Sequence, residues 1–342
     1  MSDAETIIRN FGMGELKSLN PNQLAFAKRL EKGLKKIESE IEKTLDFQTP
    51  EIDTAARYLL KAGGKRIRPL LTLLTAEYGD PSKTEVILAS QVVEMIHLAT
   101  LYHDDVMDES ELRRGVPTSH KLWGNSKAIL IGDLLFARAS GVAASLGVEM
   151  VKLHSKTFER LCLGQLNETI GPKTGESPVD HYLRVLADKT GSLISSSAVA
   201  GLMASDAPES LIEPFTNFGE KIGVAFQLID DVLDLAGGET GKEKGADVRN
   251  GVATMPSLFL DAATDDESVS LRKRLNEAIR SGNENEIVSG IDALRSSVHT
   301  ERARQLAKEW AQAAIDSIGV LPDGPPKQAL IGFAQSVIER SK

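Results

Sequence analysis

Two apolar stretches of this chain end on the same aspartate-rich pattern, HLATLYHDDVMD at residues 97–108 and VAFQLIDDVLD at residues 224–234. Each belongs to a longer segment with few charges, which predicts buried helices over 84–107 and 208–235. Nearer the start, apolar residues spaced three or four apart predict an amphipathic surface helix over 24–45. The other candidate helices are 53–60, 69–78, 127–145, 149–170, 179–203, 254–263, 267–281, 284–296, 299–317 and 325–341. No strand-like alternation is convincing, so we predict a helical protein.

The aspartates of the two motifs are spaced for metal binding. The first and last of each motif are four residues apart and share a face on a helix. These pairs are Asp104 with Asp108 and Asp230 with Asp234. The middle residues, Asp105 and Asp231, point about 100° away and are expected to support the others. Carboxylates this close need a counter-charge, and Mg²⁺ bound through a substrate phosphate suits them. A solvated acidic helix end is the alternative, which the repetition of the motif disfavours.

The composition is that of a globular protein with an acidic excess. Its 49 acidic and 40 basic residues give a net charge of -9, which argues against a nucleic-acid partner. The single cysteine, Cys162, excludes an intramolecular disulfide and favours a reducing cytoplasm. We expect Cys162 to be a small apolar residue of the core. No signal peptide is visible, and no uninterrupted apolar run of about 18 residues suggests a membrane span.

The chain shows no linker that would divide it. Residues 1–22 are interrupted by Gly and Pro and are expected to form an N-terminal arm. No low-complexity segment or charge block follows, which predicts one domain over 23–342.

Cationic residues accompany the aspartate motifs in four short groups. They are Gly63–Pro69 with three cations, Arg113-Arg114, Lys189-Thr190 and the loop Gly241–Asp247. The guanidinium of Arg binds two phosphate oxygens at once, whereas the ammonium of Lys contributes a single mobile positive charge. Each group alone is most simply explained as solvated surface charge. Together they suffice to hold two diphosphates, one bare and one bridged by metal.

These motifs, in this order over roughly residues 30–340, resemble those of the trans-isoprenyl diphosphate synthases, or polyprenyl synthetases. The resemblance implies an all-α, single-domain helical bundle of the isoprenoid synthase type around a central cavity. It places the two aspartate motifs opposite each other across the mouth of that cavity. It also implies a homodimer, isopentenyl and allylic diphosphates as substrates, and three Mg²⁺ ions when substrate is bound.

The resemblance assigns a role to each motif residue. The isopentenyl diphosphate ligands would be Lys65, Arg68, His97 and Arg114. The allylic diphosphate ligands would be Arg113, Lys189, Thr190, Gln227 and a loop lysine, Lys242 or Lys244. The metal ligands would be Asp104 and Asp108 for two ions, Asp230 for a third, and Asp234 through water. The catalytic set would be Asp104, Asp105, Asp108, Arg113, Lys189, Asp230, Asp231 and Asp234.

Two positions depart from the family's pattern. After Gly251 the family commonly has a lysine that reaches the allylic diphosphate, whereas this chain has Val252. Either Lys242 or Lys244 compensates, or allylic binding is weaker. Glu168 stands where the family often has an aspartate, and its longer side chain is expected to reach the metal-bound waters.

The implied reaction consists of ionisation of the allylic diphosphate, condensation with isopentenyl diphosphate and loss of a proton. No Glu or His stands out as the base, so the departing diphosphate is expected to take the proton. His97 is expected to donate to a phosphate, and His103 to orient an aspartate. Three alternative functions are less well supported. A class I terpene cyclase needs no bare-diphosphate site, and a metal phosphohydrolase needs more histidines than the six of this chain. A regulatory subunit of a synthase tends to lose these motifs, which are intact here.

Product length should depend on the helix before the first motif. Thr100 and Ala99 lie one turn before Asp104, and both are small. Their size implies a product longer than fifteen carbons, and replacing Ala99 with Phe is expected to shorten it. Ile96 and Met95, another turn away, are candidates for the residues that would stop chain growth at twenty carbons. A long-chain product of the quinone side-chain type is favoured, with a geranylgeranyl product as the alternative. A lipid product also implies peripheral membrane contact for its release.

Overall fold

The computed structural model describes residues 21–237 and 244–339, and nearly all regular structure in them is helical. The helices are α1 (Pro21–Thr44), α2 (Pro50–Lys61), α3 (Ile67–Ala76), α4 (Thr84–Met107), α5 (Ser119–Trp123), α6 (Asn125–Ser145), α7 (Val148–Ile170), α8 (Pro178–Leu186), α9 (Ser192–Ala204), α10 (Ile212–Asp234), α11 (Ala246–Arg249), α12 (Met255–Ala262), α13 (Asp266–Ser281), α14 (Glu284–Arg295), α15 (Val298–Ser317) and α16 (Pro325–Glu339). The predicted all-α class is confirmed. The predicted arm lies outside the described residues, except for its last two.

Two predicted helices differ from the observed ones. The helix expected over 179–203 is divided into α8 and α9 by a π-helical turn, Ala187–Gly191. The helix expected over 208–235 begins with a 3₁₀ turn, Glu209–Leu211, before α10. The short helices α5 and α11 were not predicted, because one or two turns are too short to show apolar periodicity.

A small hairpin follows the first aspartate motif. Strand β1 (Leu112–Arg113) pairs antiparallel with β2 (Val116–Pro117), with Arg113 opposite Val116. Two residues per strand give no alternating pattern in sequence, which explains why no strand was predicted. Gly115, at φ +78°, turns the chain in a conformation that favours glycine. The hairpin holds Arg113 beside the end of α4.

The main core forms around α4, α9 and α10. Helix α4 packs on α6, α10 on α15, and α9 on α3 and α10. Leu98 and Tyr102 on α4 are fully buried, and burial of a leucine side chain contributes roughly 1.5–3 kcal/mol. The Tyr102 hydroxyl donates to the Ala55 carbonyl at 2.5 Å, which ties α4 to α2. The aspartate motifs therefore end the most deeply packed helices of the bundle.

A second, smaller apolar cluster fixes the chain beyond the second motif. It includes Leu235, Val248, Leu271, Leu275 and Ile291, and lies mainly between α11, α13 and α14. Two ion pairs supplement it. The Lys244 ammonium pairs with Asp292 on α14, and Arg249 donates to both oxygens of Glu284 at 2.7 and 2.8 Å.

Two helices, α4 and α6, are long and apolar enough to cross a membrane by length and composition alone. In α4, 67% of the apolar window is buried inside the protein, which identifies it as a core helix. Only 33% of the window in α6 is buried. The prediction of no membrane span rested on the absence of an uninterrupted apolar run, and both helices do contain isolated polar or charged residues.

Candidate active site

One large cavity, of about 1000 Å³, opens beside the end of α4. It brings together ten of the predicted site residues: Lys65, Arg68, His97, Thr100, Asp104, Arg113, Arg114, Lys189, Thr190 and Gln227. Its apolar part is lined by Leu101, Phe136, Phe158, Leu161, Leu193 and Phe226. A cationic region and an apolar region thus share one enclosure.

Several predicted residues lie outside this lining. Asp108 is exposed at the C-terminal cap of α4, and Asp230 and Asp234 are half-buried at the end of α10. Asp230 lies three residues beyond Gln227, which does line the cavity. Lys242 lies outside the described residues. The ammonium of Lys244 forms an ion pair with Asp292, so its positive charge is already compensated in this arrangement.

The first motif joins α4 to the hairpin. Asp105 is fully buried, and its Oδ1 accepts hydrogen bonds from Nε and Nη2 of Arg113, both at 2.7 Å. Arg113 therefore has a structural partner as well as a place in the cavity wall. The pKa of Asp104 is raised to about 6, mainly by burial and in part by the charge of Asp108, while the charge of Lys189 opposes the shift. Asp104 is thus a carboxylate whose negative charge calls for a cation.

The second motif joins three helices through its middle aspartate. The Tyr182 hydroxyl of α8 donates to the two Asp231 oxygens at 3.0 and 2.9 Å. The Met255 amide, at the start of α12, donates to Oδ2 at 2.9 Å. Burial raises the pKa of Asp231 to about 8, against these hydrogen bonds. Asp231 positions the end of α10, whereas Asp230 and Asp234 lie on other faces of that helix.

The π-helical turn carries two predicted allylic ligands, Lys189 and Thr190, on the cavity wall. The Lys189 ammonium donates to Glu168 Oε2 of α7 at 2.6 Å. Gly164 allows this approach, because a Cβ there would lie 2.7 Å from the Lys189 amide nitrogen. Gly223 does the same on α10, where a Cβ would lie 2.5 Å from the Gly191 Cα. The predicted route from Glu168 to metal-bound water is, in this structure, an ion pair with Lys189.

The acidic donors fit a hard cation held jointly with substrate. Among the described residues, no three His, Cys, Asp or Glu side chains converge closely enough to hold a metal by themselves. The burial-raised pKa of Asp104 and the buried, unpartnered Oδ2 of Asp105 show an excess of acceptor oxygens at the end of α4. Mg²⁺ binds through one or two carboxylates and substrate phosphates, and it retains waters.

The turn before α3 gathers the other cations. Arg66 adopts a left-handed conformation, at φ +50°. Its guanidinium donates to Glu38 at 2.7 Å and to the carbonyls of Gly63 and Leu60 at 2.9 and 2.5 Å. Arg114 also donates to the Gly63 carbonyl. Both arginines cap the carbonyl-rich end of α2, where cations are favoured. The sequence counted Arg66 among the three cations of this turn but gave it no role of its own, because its partners Glu38 and Glu94 are distant in sequence.

His97 faces the cavity beside Arg68 and Arg114. Burial lowers the pKa of His97 well below its usual range, and the neighbouring guanidiniums lower it further. The ring is therefore neutral near pH 7, as a hydrogen-bond donor to phosphate can be. His103 is placed differently from the expectation: its Nε2 lies 3.1 Å from the Ile129 carbonyl and 3.4 Å from Asp133 Oδ1, so its acidic neighbour is not a motif aspartate.

Replacing His97 with Asn should alter the pH dependence of folding. A depressed pKa in the folded state means that stability is present above pH 6.5 and lost as the pH falls, because the unfolded chain takes up the proton first. Wild type should therefore lose up to about 1.4 kcal/mol per pH unit below pH 6.5 relative to His97→Asn. Urea unfolding of both proteins from pH 7.5 to 5 measures the difference. A constant difference would contradict a neutral, buried His97.

The predicted product-length residues separate into two groups. Thr100 lies on the cavity wall. Ala99, Ile96 and Met95 are fully buried in the core, so a Phe at position 99 would overpack the core rather than narrow the cavity. Cys162, expected in the core, is exposed and lines the cavity, because α7 turns this face toward the open space.

Two aromatic rings narrow the apolar region of the cavity. Phe136 of α6 and Phe158 of α7 are in contact, with centroids 4.2 Å apart at 46°. Their positions could not be read from the sequence, because neither helix carries a motif that orients it. They are the largest side chains on the apolar wall, together with Phe226.

Comparisons with known proteins agree with this geometry. The sequence model of the Polyprenyl synthetase family matches residues 49–292. The chain is 38% identical to a nonaprenyl diphosphate synthase of Mycobacterium tuberculosis, over 92% of this chain and 94% of the relative. The structure is similar to a decaprenyl diphosphate synthase from Rhodobacter capsulatus, with TM-score 0.83, 30% identity and coverage of 94% and 99%. It is also similar to a geranylgeranyl pyrophosphate synthase from Corynebacterium glutamicum complexed with calcium and isoprenyl diphosphate, with TM-score 0.81, 32% identity and coverage of 94% and 98%. The chain belongs to the polyprenyl synthetase family.

Proposed function

We propose that this protein condenses isopentenyl diphosphate with an allylic diphosphate to form a trans-polyprenyl diphosphate. The single observation that carries the proposal is the shared cavity, cationic at one end and apolar at the other. A diphosphate ester with a hydrocarbon tail matches both ends. Family membership and the activities of the named relatives support the same transferase chemistry.

The cavity residues divide the work between two diphosphates. Lys189, Arg113, Thr190 and Gln227 hold the allylic diphosphate, and Lys65, Arg68, His97 and Arg114 hold isopentenyl diphosphate. Asp104, Asp108, Asp230 and Asp234 would hold Mg²⁺ in three sites, and the metal would neutralise the charge of the leaving diphosphate. The two sites hold the reacting carbons in register. The apolar wall excludes water from the allylic cation, and the departing diphosphate takes the final proton.

We propose that the product is long-chain rather than geranylgeranyl diphosphate. Thr100, the residue of α4 that faces the cavity one turn before Asp104, is small. At that position of α4 no aromatic side chain blocks the tail early, in contrast to Phe136 and Phe158 on α6 and α7. The nonaprenyl and decaprenyl synthases among the relatives favour this choice, and the geranylgeranyl synthase keeps the shorter product as the alternative.

Truncating Phe158 should lengthen the product. Phe158→Ala removes half of the aromatic pair with Phe136, and the tail gains space beyond it. We expect the main product to grow by one or more five-carbon units, and Thr100→Phe to shorten it. Phe218→Ala, in the core and away from the cavity, is the matched control and should affect stability without changing length. Unchanged product lengths from both Phe158→Ala and Thr100→Phe would show that the cavity wall does not limit the length of the product.

The test of the proposed function is a product assay. Purified protein, Mg²⁺, labelled isopentenyl diphosphate and farnesyl diphosphate are incubated, and the dephosphorylated products are sized. A ladder above twenty carbons supports long-chain synthesis, and a stop at twenty supports the geranylgeranyl alternative. Cyclised products would indicate a terpene cyclase. No incorporation with any allylic starter would indicate a regulatory subunit of a heteromeric synthase.

We further propose a cytoplasmic homodimer whose catalytic unit is the helical domain 23–342. The large apolar side chains of Leu130, Leu163 and Ile170 are exposed on α6 and α7, and a surface of this kind is typical of a face that a partner covers. Sedimentation velocity at micromolar protein concentration measures the oligomeric state, and a monomer would contradict the proposed homodimer. Peripheral membrane contact, proposed for product release, is tested by flotation with liposomes.

A further inference from the structure

One carboxylate lies among the cations at the bare-diphosphate end of the cavity. Glu94 of α4 is 1% exposed and lines the cavity three residues before His97. Its Oε1 accepts a hydrogen bond from Nη1 of Arg66 at 3.2 Å. Burial raises its pKa, and the charges of Arg66, Arg68 and Arg114 lower it. Because a negative group opposes anion binding, its presence here requires another role.

The three guanidiniums around Glu94 differ in their partners. Arg66 bonds a carboxylate and two carbonyls in addition to Glu94. Arg114 donates to the Leu59 carbonyl at 2.7 Å and to the Gly63 carbonyl. The Nε of Arg68 is buried and has no hydrogen-bond partner among the described residues. Arg68 is therefore the guanidinium best placed to take a ligand.

Charge explains what keeps Arg68 in place before a ligand arrives. Burial lowers the pKa of Arg68 to about 10, and among its charged neighbours Glu94 opposes that shift most strongly. Arg114 acts in the opposite direction, as a like charge. Guanidiniums collected in a partly enclosed site repel one another, and desolvation adds to the cost unless a counter-charge is present.

We infer that Glu94 is a positioning residue for isopentenyl diphosphate, holding the guanidiniums of Arg68 and Arg114 together before the substrate binds. This inference rests on the proposed function. With the arginines already gathered, binding costs less side-chain entropy than it would if the diphosphate had to collect them. Arg66 links Glu94 to the turn that carries Lys65 and Arg68, so one carboxylate orients the cations at the bare-diphosphate end of the cavity.

The test is the substrate specificity of Glu94→Gln. The amide keeps the shape and an acceptor oxygen for Arg66 but removes the charge. We expect the KM for isopentenyl diphosphate to rise at least tenfold. The KM for the allylic substrate and kcat at saturating isopentenyl diphosphate should change less than threefold. Calorimetric titration with isopentenyl diphosphate in the absence of metal should show the same weakening, and Glu94→Asp should give an intermediate value.

Gln91→Met is the matched control. Gln91 is 2% exposed, lies nearly one turn earlier on α4, and accepts a hydrogen bond from Thr44 at 3.1 Å. Its replacement should lower the unfolding midpoint and leave both KM values unchanged. An unchanged or lower KM for isopentenyl diphosphate in folded Glu94→Gln would overturn the inference.

Two further outcomes are distinguishable. If Glu94→Gln does not fold, Glu94→Asp decides: a raised KM for isopentenyl diphosphate alone supports the positioning role, and wild-type values overturn it. If the wild-type protein neither binds isopentenyl diphosphate nor forms product, the proposed function itself has failed.

Discussion

Asp104→Asn should lower kcat by about 10³-fold while leaving the protein folded. The side chain keeps its size, but the carboxylate that faces Lys189 and the allylic end of the cavity is lost. Removing one group that stabilises charge in a transition state typically costs 10²–10³-fold, and here the loss of metal binding adds to that cost. Steady-state assays over a range of Mg²⁺ concentrations measure the effect.

The same substitution should not destabilise the metal-free protein. Because burial raises the folded-state pKa of Asp104 to about 6 from 3.8, the ionised form is disfavoured in the folded protein. The free energy of unfolding of the wild type therefore falls as the pH rises from about 4 to 6. The Asn variant cannot ionise at this position and does not undergo this loss. We expect an equal or higher unfolding midpoint at pH 8. Asp266→Asn, on the exposed start of α13 and far from the cavity lining, is the control for activity and should leave kcat unchanged. A loss of less than tenfold in kcat would remove Asp104 from the metal site.

Arg68→Gln should raise the KM for isopentenyl diphosphate by roughly 100-fold. Loss of one partner of an enclosed charge pair costs 2–5 kcal/mol, and about 3 kcal/mol corresponds to this factor. The effect should be selective, because Arg68 lies with His97 and Arg114 rather than with the π-helical turn. Initial rates with each substrate varied separately give the two KM values.

Lys189→Gln is the reciprocal variant for this experiment. It should raise the KM for the allylic diphosphate and leave that for isopentenyl diphosphate within threefold. Arg274→Gln, an exposed change on α13, should leave both unchanged. Equal effects of Arg68→Gln and Lys189→Gln on both substrates would contradict two separate diphosphate sites.

Much of the fold could be predicted because its helices have clear ends. The bounds of α4 were predicted to the residue, since charged and polar residues flank a continuous apolar segment. The π-helical turn at residues 187–191 was not predicted, because the helical periodicity of the sequence continues through residues 179–203. The orientation of α4 was not predictable either, since a helix that is apolar on most faces gives no sign of which face meets the cavity. This is why Thr100 and Ala99 were treated alike.

The candidate site was predictable as a set of residues but not as a set of contacts. The resemblance to the polyprenyl synthetases placed Asp104 and Lys189 in one functional group. The pairs Arg113–Asp105 and Lys189–Glu168 join different elements, and only the packing of those elements brings them together. Glu94 had no motif to mark it, because its role comes from three arginines that approach it from other segments.

The π-helical turn at residues 187–191 makes the allylic site vulnerable to a change in chain length. Each residue of an α-helix advances the chain by about 100°, so deleting one codon in this turn would rotate one flanking helix relative to the other. Lys189 and Thr190 would then lose their common register with α7 and α10. Substitutions on the exposed faces of α8 would leave that register intact. Over evolutionary time, this segment should therefore tolerate point substitutions far more readily than insertions or deletions.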